Sequence, residues 1–466
     1  MNATNSSSGP RQRQLFGTDG IRGVAGQYPL DRRTVEMIGR ALGMRLAAQH
    51  PGVQVVIGQD TRESSEWIAE VLARGLSSQG VAAVEAGVIT TPGIAYLARA
   101  RNFAAGIVIS ASHNPWHDNG IKVFGHDGYK LSDQIEHEIE AEIFRELEQG
   151  EGAASDRALS GLPPDPDLHA SYVWWLTDSV GSKLSGARAL VDCANGATAA
   201  LAPEVFRACG VEAEFINVNP DGRNINANCG ALHPEVVARE VQQRNARGAR
   251  FALGVTFDGD GDRALFSDAA GRVVNGDAVL LLAAREMKAA GSLAGDTVVA
   301  TTMSNMGLEA ALRRAGINML RAPVGDKYVL EQMQKTGATL GGEQSGHIIF
   351  ADGDATTGDG MLTALRVIRS MVTSGKPLAE LIGELKVFPQ IITNIPVREK
   401  KPFQQLPAVQ QAIDVAEREL GDEGRLVVRY SGTEPLARVM VEAASEEQMQ
   451  RIAHNVAEII RHELGA

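Results

Sequence analysis

A short apolar strand that runs into a polar turn occurs at three places along this chain. The three segments are VQVVIGQD, RALVDCANG and DTVVATTMSN, at residues 53–60, 188–196 and 296–305. Helical stretches such as GDAVLLLAAREMKAA accompany them, with apolar residues spaced at about 3.6 positions. Strands that alternate with amphipathic helices form sheets covered by helices. The sequence therefore predicts three related α/β units.

Proline-rich and polar stretches mark the expected domain boundaries. SGLPPDPDLH begins at Ser160, and a second such run, with FPQ and IPVREKKP, extends from Lys386 to Lys401. The remaining C-terminal segment has the pattern helix, strand, loop, strand, helix, which predicts a small α+β domain. We therefore expect a disordered tail and four domains, at residues 1–13, 14–165, 166–270, 271–386 and 387–466.

Charge and cysteine content limit the class of protein. Lys and Arg total 45 against 57 Asp and Glu, a formal charge of -12, which argues against a nucleic-acid or anionic-membrane binder. The cysteines, Cys193, Cys209 and Cys229, form no C-x-x-C pair, so neither a disulfide framework nor a thiolate zinc site is indicated. The sequence shows neither a signal peptide nor a long apolar run. We expect a cytoplasmic protein.

A candidate nucleophile follows the strand AAGIVIS. The next residues, ASHNPWHDNGIK, put Ser112 and His113 in an irregular loop, where open α/β sheets commonly bind ligands. The loop does not match the G-x-S-x-G nucleophile elbow. Ser, Asn and Pro also form ordinary polar turns, and that interpretation stays open for the segment alone.

The segment GVTFDGDGDRALF predicts a metal site. Asp258, Asp260 and Asp262 alternate with glycines, so a tight backbone can direct three hard oxygen ligands at one Mg²⁺ or Ca²⁺ ion. An EF-hand is excluded because Arg263 and Ala269 stand where it needs Gly and Glu. An apolar strand follows the glycines, so a dinucleotide fingerprint is excluded too. Without a cation, three carboxylates this close would repel one another.

The segment GGEQSGHIIF predicts sugar contacts. Glu343, Ser345 and His347 occupy alternate positions, so in an extended segment they would project to the same side and could hydrogen-bond hydroxyl groups. Upstream, APVGDKYV adds Lys327 on a glycine-containing turn. A lone lysine is more often a surface residue than a ligand, and this alternative stays open.

The C-terminal segment VVRYSGTEPLARVMV is typical of a phosphate clamp. Its tight SGTEP turn could form an anion-binding nest of backbone N–H groups. The candidate contacts are Arg429, Ser431, Gly432, Thr433 and Arg438. An ordinary loop beside two strand-edge arginines is the alternative for this segment alone.

Five motifs, in this order, resemble the α-D-phosphohexomutase superfamily: FGTDGIRG, SASHNPWHDNGIK, DGDGDR, GEQSGH and RYSGTEPLAR. The resemblance covers nearly the whole chain beyond the N-terminal tail. It implies three related α/β domains with mixed sheets and a smaller C-terminal α+β domain, the four domains surrounding a central cleft. Trp116 and His117 differ from the residues that usually follow the SHNP core. The motif residues themselves are unchanged.

The resemblance also implies roles for the matching residues. Ser112 would be the phosphoserine, and its phosphate together with Asp258, Asp260 and Asp262 would hold one Mg²⁺ per chain. Glu343 and Ser345 would contact sugar hydroxyls, and residues 429–433 would bind the non-reacting phosphate. Candidates for positioning or proton transfer are Lys122, Arg22 and Arg263, with His113 beside the serine.

Within the superfamily, FGTDGIRG, DNGIK and GEQSGH are similar to the bacterial branch that acts on glucosamine phosphates. Similarity to this branch implies an enzyme that converts glucosamine 6-phosphate to glucosamine 1-phosphate through glucosamine 1,6-bisphosphate. This reaction lies on the route to UDP-N-acetylglucosamine. Phosphomannomutase/phosphoglucomutase relatives more often carry Met where Gln344 stands. They are the nearest alternative, and a non-catalytic sugar-phosphate sensor is an alternative from another class. A homodimer is a possible assembly.

Overall fold

The computed structural model describes residues 15–17, 19–49, 52–149, 165–181, 183–431 and 435–465. The predicted tail at residues 1–13, and Gly432 and Thr433 of the predicted clamp, lie outside these ranges. Four sheets follow one another along the chain, each with its own helices. Within the described ranges, no helix is long and apolar enough to cross a bilayer.

The first sheet is mixed and has six strands. They are β1 (Phe16–Gly17), β2 (Gly20–Val24), β3 (Gln54–Gln59), β4 (Ala82–Val88), β5 (Ala105–Ile109) and β6 (Asp118–Gly125), in the order β1-β2-β6-β5-β3-β4. Its helices are α1 (Arg32–Gln49), α2 (Ser65–Ser77), α3 (Thr91–Ala100) and α4 (Asp133–Gln149). Strand β3 is parallel to β4 and β5, whereas β6 is antiparallel to β5. Every residue of β5, AGIVI, is buried because helices cover both faces of the sheet.

The second sheet repeats this design. Its strands are β7 (Arg188–Asp192), β8 (Glu212–Ile216), β9 (Leu253–Phe257), β10 (Ala264–Asp268) and β11 (Val273–Val274), in the order β11-β10-β9-β7-β8. Its helices are α5 (Pro166–Ser179), α6 (Thr198–Ala208) and α7 (Pro234–Ala246). Strand β7 is parallel to β8 and β9, and β10 returns antiparallel to β9.

The third sheet is the smallest of the mixed sheets. Its strands are β12 (Thr297–Thr301), β13 (Asn318–Ala322), β14 (Leu340–Gly342) and β15 (Ile348–Phe350), in the order β13-β12-β14-β15. Its helices are α8 (Gly276–Ala289), α9 (Met306–Arg314), α10 (Asp326–Thr336), α11 (Gly360–Ser374) and α12 (Leu378–Leu381). Again a parallel centre, β12 with β13 and β14, is extended by an antiparallel strand, β15.

The fourth sheet is antiparallel throughout. It contains β16 (Gln390–Pro396), β17 (Gly424–Tyr430) and β18 (Leu436–Ala443), packed against α13 (Pro407–Leu420) and α14 (Glu446–Leu464). The predicted helix, strand, strand and helix are present, and β16 precedes them. The expected fold class, three mixed α/β layers and a smaller α+β layer, is confirmed.

One buried apolar cluster runs through the first three sheets. It includes Val108 of β5, Val191 of β7 and Val298 of β12, with Tyr172 of α5 fully buried within it. The fourth sheet has a separate core around Val439. Because the three α/β units share a core, the loops that follow their strands are held in fixed relation to one another.

Candidate active site

The loop that follows β5 holds Ser112 in an unusual conformation. The residue has a φ of 51°, in the left-handed region, and is almost fully buried. Its backbone N–H donates to Ser110 Oγ at 2.9 Å. Its hydroxyl donates to Asp258 Oδ2 at 2.6 Å, and its Oγ lies 3.3 Å from His113 Nδ1. A strained backbone of this kind persists only where the surroundings hold it, which is typical of functional sites.

The turn between β9 and β10 brings three carboxylates together. One oxygen from each of Asp258, Asp260 and Asp262 lies within 4.8 Å of the other two, and all three residues are buried. Gly261, with a φ of 71°, allows the tight turn. Asp260 Oδ1 and Asp262 Oδ1 are buried without a hydrogen-bond partner in the described part of the chain. Such orphaned hard oxygens fit a divalent cation.

Electrostatics support the same interpretation. Burial, with the neighbouring charges of Asp262 and Asp260, raises the pKa of Asp258 well above its ordinary value. A bound cation would remove that penalty, because an opposite charge favours the ionised carboxylate. The residues present therefore fit a metal ion.

A buried lysine connects the triad to the FGTDGIRG motif. Lys122 Nζ lies 2.8 Å from Asp260 Oδ2 and 2.9 Å from Asp19 Oδ2. Although burial acts against the charged lysine, Asp19 and Asp260 outweigh it and raise the pKa of Lys122. Asp19 also pairs with Arg22 and Lys130. These cations overcome burial and hold the pKa of Asp19 well below its ordinary value.

The other candidate catalytic residues lie around the serine. Arg263 Nε is 3.8 Å from Asp262 Oδ1, and Arg22 Nη1 donates to the Ala111 carbonyl at 3.4 Å. Burial and the cations Arg263 and Arg22 lower the pKa of His113 to about 4. Arg22, Arg263 and His113 all line one cavity of about 360 Å³.

The GEQSGH segment forms a turn between β14 and β15. Gly346 N–H donates to Glu343 O at 3.0 Å, so the expectation of an extended segment was wrong. Glu343 and His347 nevertheless line the same cavity, and His347 Nδ1 lies 3.5 Å from Asp262 Oδ2. Ser345 is not among the lining residues, and its Oγ is buried without a partner in the described ranges.

The structure does not bring Lys327 into the cavity. Its amine pairs with Asp133 and lies 3.2 Å from Glu136 Oε2, both on α4 of the first unit. The preceding residue, Asp326, lines the cavity and pairs with Lys130. The lysine therefore connects the third unit to the first through ion pairs, and it does not reach the cavity.

The arginines of the predicted phosphate clamp lie opposite each other in the fourth sheet. Arg429 of β17 pairs in register with Arg438 of β18. Ser431 follows β17, where its N–H donates to Leu436 O at 2.8 Å and its carbonyl accepts from Lys400 Nζ at 2.6 Å. None of these residues lines the 360 Å³ cavity.

Polar side chains from three units line the cavity. It is lined by first-unit residues that include Arg22 of β2 and His113 of the serine loop, by Asp262 and Arg263 of the second unit, and by Glu343 and His347 of the third. Asp19 and Asp326 line the cavity but were not predicted from the sequence, although Asp19 lies within the FGTDGIRG motif. A buried serine, a carboxylate triad and flanking cations form an arrangement suited to phosphoryl transfer.

Comparisons with known proteins agree with this fold. Family models for phosphoglucomutase/phosphomannomutase match at residues 13–150 (alpha/beta/alpha domain I), 275–388 (alpha/beta/alpha domain III) and 392–459 (C-terminal domain). A phosphoglucomutase/phosphomannomutase family protein of Burkholderia thailandensis has the same fold, with a TM-score of 0.76 at 24% identity over 96% of this chain and 97% of that one. The fold and site thus define a phosphohexomutase.

Relatives that match nearly the whole chain show which branch of the phosphohexomutases it belongs to. The phosphoglucosamine mutase of Koribacter versatilis is 65% identical over 97% of this chain and 98% of its own length. That of Solibacter usitatus is 53% identical over 97% of this chain and 99% of its own length. The chain therefore belongs to the phosphoglucosamine mutase family, a family of isomerases.

Proposed function

We propose that this chain interconverts glucosamine 6-phosphate and glucosamine 1-phosphate, with Ser112 as the phosphoryl carrier. The observation that carries the proposal is the 2.6 Å contact between Ser112 Oγ and Asp258 Oδ2, which joins the serine loop to the carboxylate triad. The substrate follows from kinship, because relatives at 65% and 53% identity are named phosphoglucosamine mutase. The product would supply UDP-N-acetylglucosamine synthesis.

The reaction takes two transfers. Phosphoserine at Ser112 gives its phosphoryl group to the free hydroxyl of the sugar phosphate, so one O–P bond breaks at the serine and another forms on the sugar. The hydroxyl proton leaves to a basic group, and glucosamine 1,6-bisphosphate results. After the bisphosphate reorients, the O–P bond to its other phosphoryl group breaks and that group is transferred to Ser112 Oγ. The serine hydroxyl loses its proton, the freed sugar oxygen gains one, and glucosamine 1-phosphate leaves.

Mg²⁺ is the cation we propose for the triad. Asp258, Asp260 and Asp262 offer only hard oxygen ligands, and two of the oxygens are buried without a partner in the described ranges. When bound, the ion would offset negative charge on the transferring phosphoryl group. Lys122, held charged by Asp19 and Asp260, adds a fixed positive charge beside the triad.

The remaining site residues would hold the sugar phosphate. Arg22 and Arg263 line the cavity and can orient phosphoryl oxygens, while Glu343 and His347 can accept or donate hydrogen bonds to sugar hydroxyls. Residues 429–433 and Arg438 are proposed to bind the non-reacting phosphate. Of these, the described residues Arg429, Ser431 and Arg438 do not line the 360 Å³ cavity, so we propose that the fourth unit closes towards it when substrate binds.

The test is a comparison of substrates. Purified protein is incubated with Mg²⁺, a trace of glucosamine 1,6-bisphosphate, and separately glucosamine, glucose and mannose 6-phosphates, and each 1-phosphate is followed by phosphorus NMR. We expect fastest conversion of the glucosamine ester and no turnover by Ser112→Ala. Faster conversion of glucose or mannose phosphate would move the chain to a sister specificity. No conversion of any would favour a sugar-phosphate sensor.

A further inference from the structure

Two side chains from different units bind the same two carbonyl groups of the serine loop. Arg62 Nη2 donates to Ser112 O at 3.0 Å and to Asn114 O at 2.6 Å. Asn226 Nδ2 donates to the same oxygens at 2.9 and 3.2 Å. Arg62 belongs to the first unit and Asn226 to the second, so the loop is held from both sides.

The contact from the first unit is deeply buried. The side chains of Arg62 and Asp60 are fully buried and form an ion pair. Asp60 Oδ2 accepts from Ser110 Oγ at 2.5 Å, and Ser110 Oγ in turn accepts from the Ser112 N–H at 2.9 Å. This network fixes the base of the loop. The Ser112 carbonyl accepts from both Arg62 and Asn226, so both residues set its direction.

The position of Asn226 is set by the end of β7. Its own N–H donates to Ala194 O at 2.9 Å. Asp192, the last residue of β7, accepts from the N–H groups of Ala194 at 2.9 Å and Gly230 at 3.0 Å. Asn226 has a φ of 58°, a conformation that asparagine tolerates better than most residues. Hydrogen bonds within the second unit therefore set the orientation of the Asn226 side-chain amide.

Gly259, between the first two aspartates of the triad, leaves room for this contact. A Cβ at that position would lie 2.6 Å from Ser112 O and 2.8 Å from Asn226 Nδ2. The glycine thus does more than allow a tight metal loop. It leaves room for the hydrogen bond between the Asn226 amide and the Ser112 carbonyl.

We propose that Asn226 is a positioning residue for phosphoryl transfer: it fixes the Ser112 and Asn114 carbonyls and so directs the Ser112 side chain at the triad. The inference rests on the proposed role of Ser112 as carrier. A fixed backbone keeps the reacting oxygen in a near-attack geometry, and small displacements of such atoms are costly in rate. Asn226 itself touches neither the sugar nor the phosphoryl group in this assignment.

Asn228 provides a matched control. It lies in the same loop, has a φ of 54° and is exposed, and its side chain makes no hydrogen bond within the described residues. Replacing either asparagine with alanine imposes a similar backbone cost, because alanine is disfavoured in the left-handed region. Only Asn226→Ala also removes the donor to the serine loop.

The experiment is a single turnover with full-length enzyme. Each protein is phosphorylated with labelled glucosamine 1,6-bisphosphate in Mg²⁺, the label is located on Ser112, and its transfer to glucosamine 6-phosphate is timed. We expect Asn226→Ala to transfer the label about tenfold to a hundredfold more slowly than Asn228→Ala. The two variants should have similar melting temperatures and, in separate steady-state assays, similar KM values for glucosamine 6-phosphate. Asn226→Asp, which keeps the size of the side chain but not its donor, should show the same loss.

The experiment distinguishes failure of the proposed function from failure of the positioning role. If the wild-type enzyme carries no label on Ser112, the proposed function fails and this inference fails with it. If the wild-type enzyme transfers its label and both Asn226 variants stay within about twofold of Asn228→Ala, the positioning role alone is overturned.

Discussion

Ser112 Oγ donates to Asp258 Oδ2 at 2.6 Å, although 146 residues separate the two in the chain. The contact joins the loop after β5 to the turn after β9, so it depends on the packing of two separate sheets. Neither segment alone distinguishes a nucleophile from a polar turn. Their juxtaposition, with the serine hydroxyl against one carboxylate of the triad, supports the proposed site of phosphoryl transfer.

Asp258→Asn should separate metal binding from stability. Removing one of three buried carboxylates relieves their repulsion, so the metal-free variant should melt at a higher temperature than the wild type. Mg²⁺ should raise the melting temperature of the wild type but not of the variant, and activity should fall about a hundredfold or more. Melting curves with a chelator and with Mg²⁺ provide the measurement. Asp178→Asn, at an exposed position, should behave like the wild type in both.

Lys122→Met should destabilise the protein strongly. Asp19 keeps Arg22 and Lys130, but the substitution takes the buried lysine away from Asp260, and breaking such a buried pair costs about 3–5 kcal/mol. Lys376→Met removes an ion pair with Glu380 in which both side chains are more than half exposed, and should cost less than about 1 kcal/mol. Urea unfolding curves compare the two. Equal midpoints for both variants would contradict the assigned buried pair.

Gly259→Ala should slow turnover without preventing metal binding. The added Cβ would meet Ser112 O at 2.6 Å, so the serine loop must shift away from the triad. The carboxylates remain, and Mg²⁺ should still raise the melting temperature. Gly353→Ala is the control, because a Cβ there meets nothing within 4 Å. Steady-state rates of the two variants test the prediction, and a Gly259→Ala enzyme as fast as the control would refute it.

The local parts of this site could be predicted from the sequence. Alternating strands and helices gave the α/β layers because hydrophobic periodicity is a local property. The spacing of Asp258, Asp260 and Asp262 predicted their clustering for the same reason, since one tight turn brings them together. Ser112 became a candidate nucleophile because it follows a buried strand.

The parts that depend on distant contacts could not be predicted. Asp19 pairs with Lys122 and Lys130, more than 100 residues away, and no local pattern indicates this. Lys327 was a candidate sugar contact, but carboxylates on α4 of another unit pair with its amine. Glu343 and His347 reach the cavity through a turn instead of the extended segment that their alternation suggested.

A buried hydrogen-bond chain through three units should make stability depend on pH. Thr90 Oγ1 donates to Tyr172 Oη at 3.2 Å, and Tyr172 Oη donates to Asp359 Oδ2 at 2.7 Å. Burial raises the pKa of Asp359 to about 6, above its ordinary value of 3.8. The folded protein thus retains a proton that the unfolded chain releases. The associated stability is complete below about pH 4 and is lost as the pH rises through 6, amounting to about 3 kcal/mol.

Asp359→Asn should remove this dependence. Asparagine can still accept from the N–H of Leu362 at the start of α11 but does not titrate. With a chelator present, the urea midpoint of the wild type should fall relative to that of the variant between pH 4 and pH 6. Tyr172→Phe, which deletes a donor that favours the charged carboxylate, should move the wild-type transition to higher pH. Parallel midpoints for wild type and Asp359→Asn across this range would show that Asp359 titrates normally in the fold.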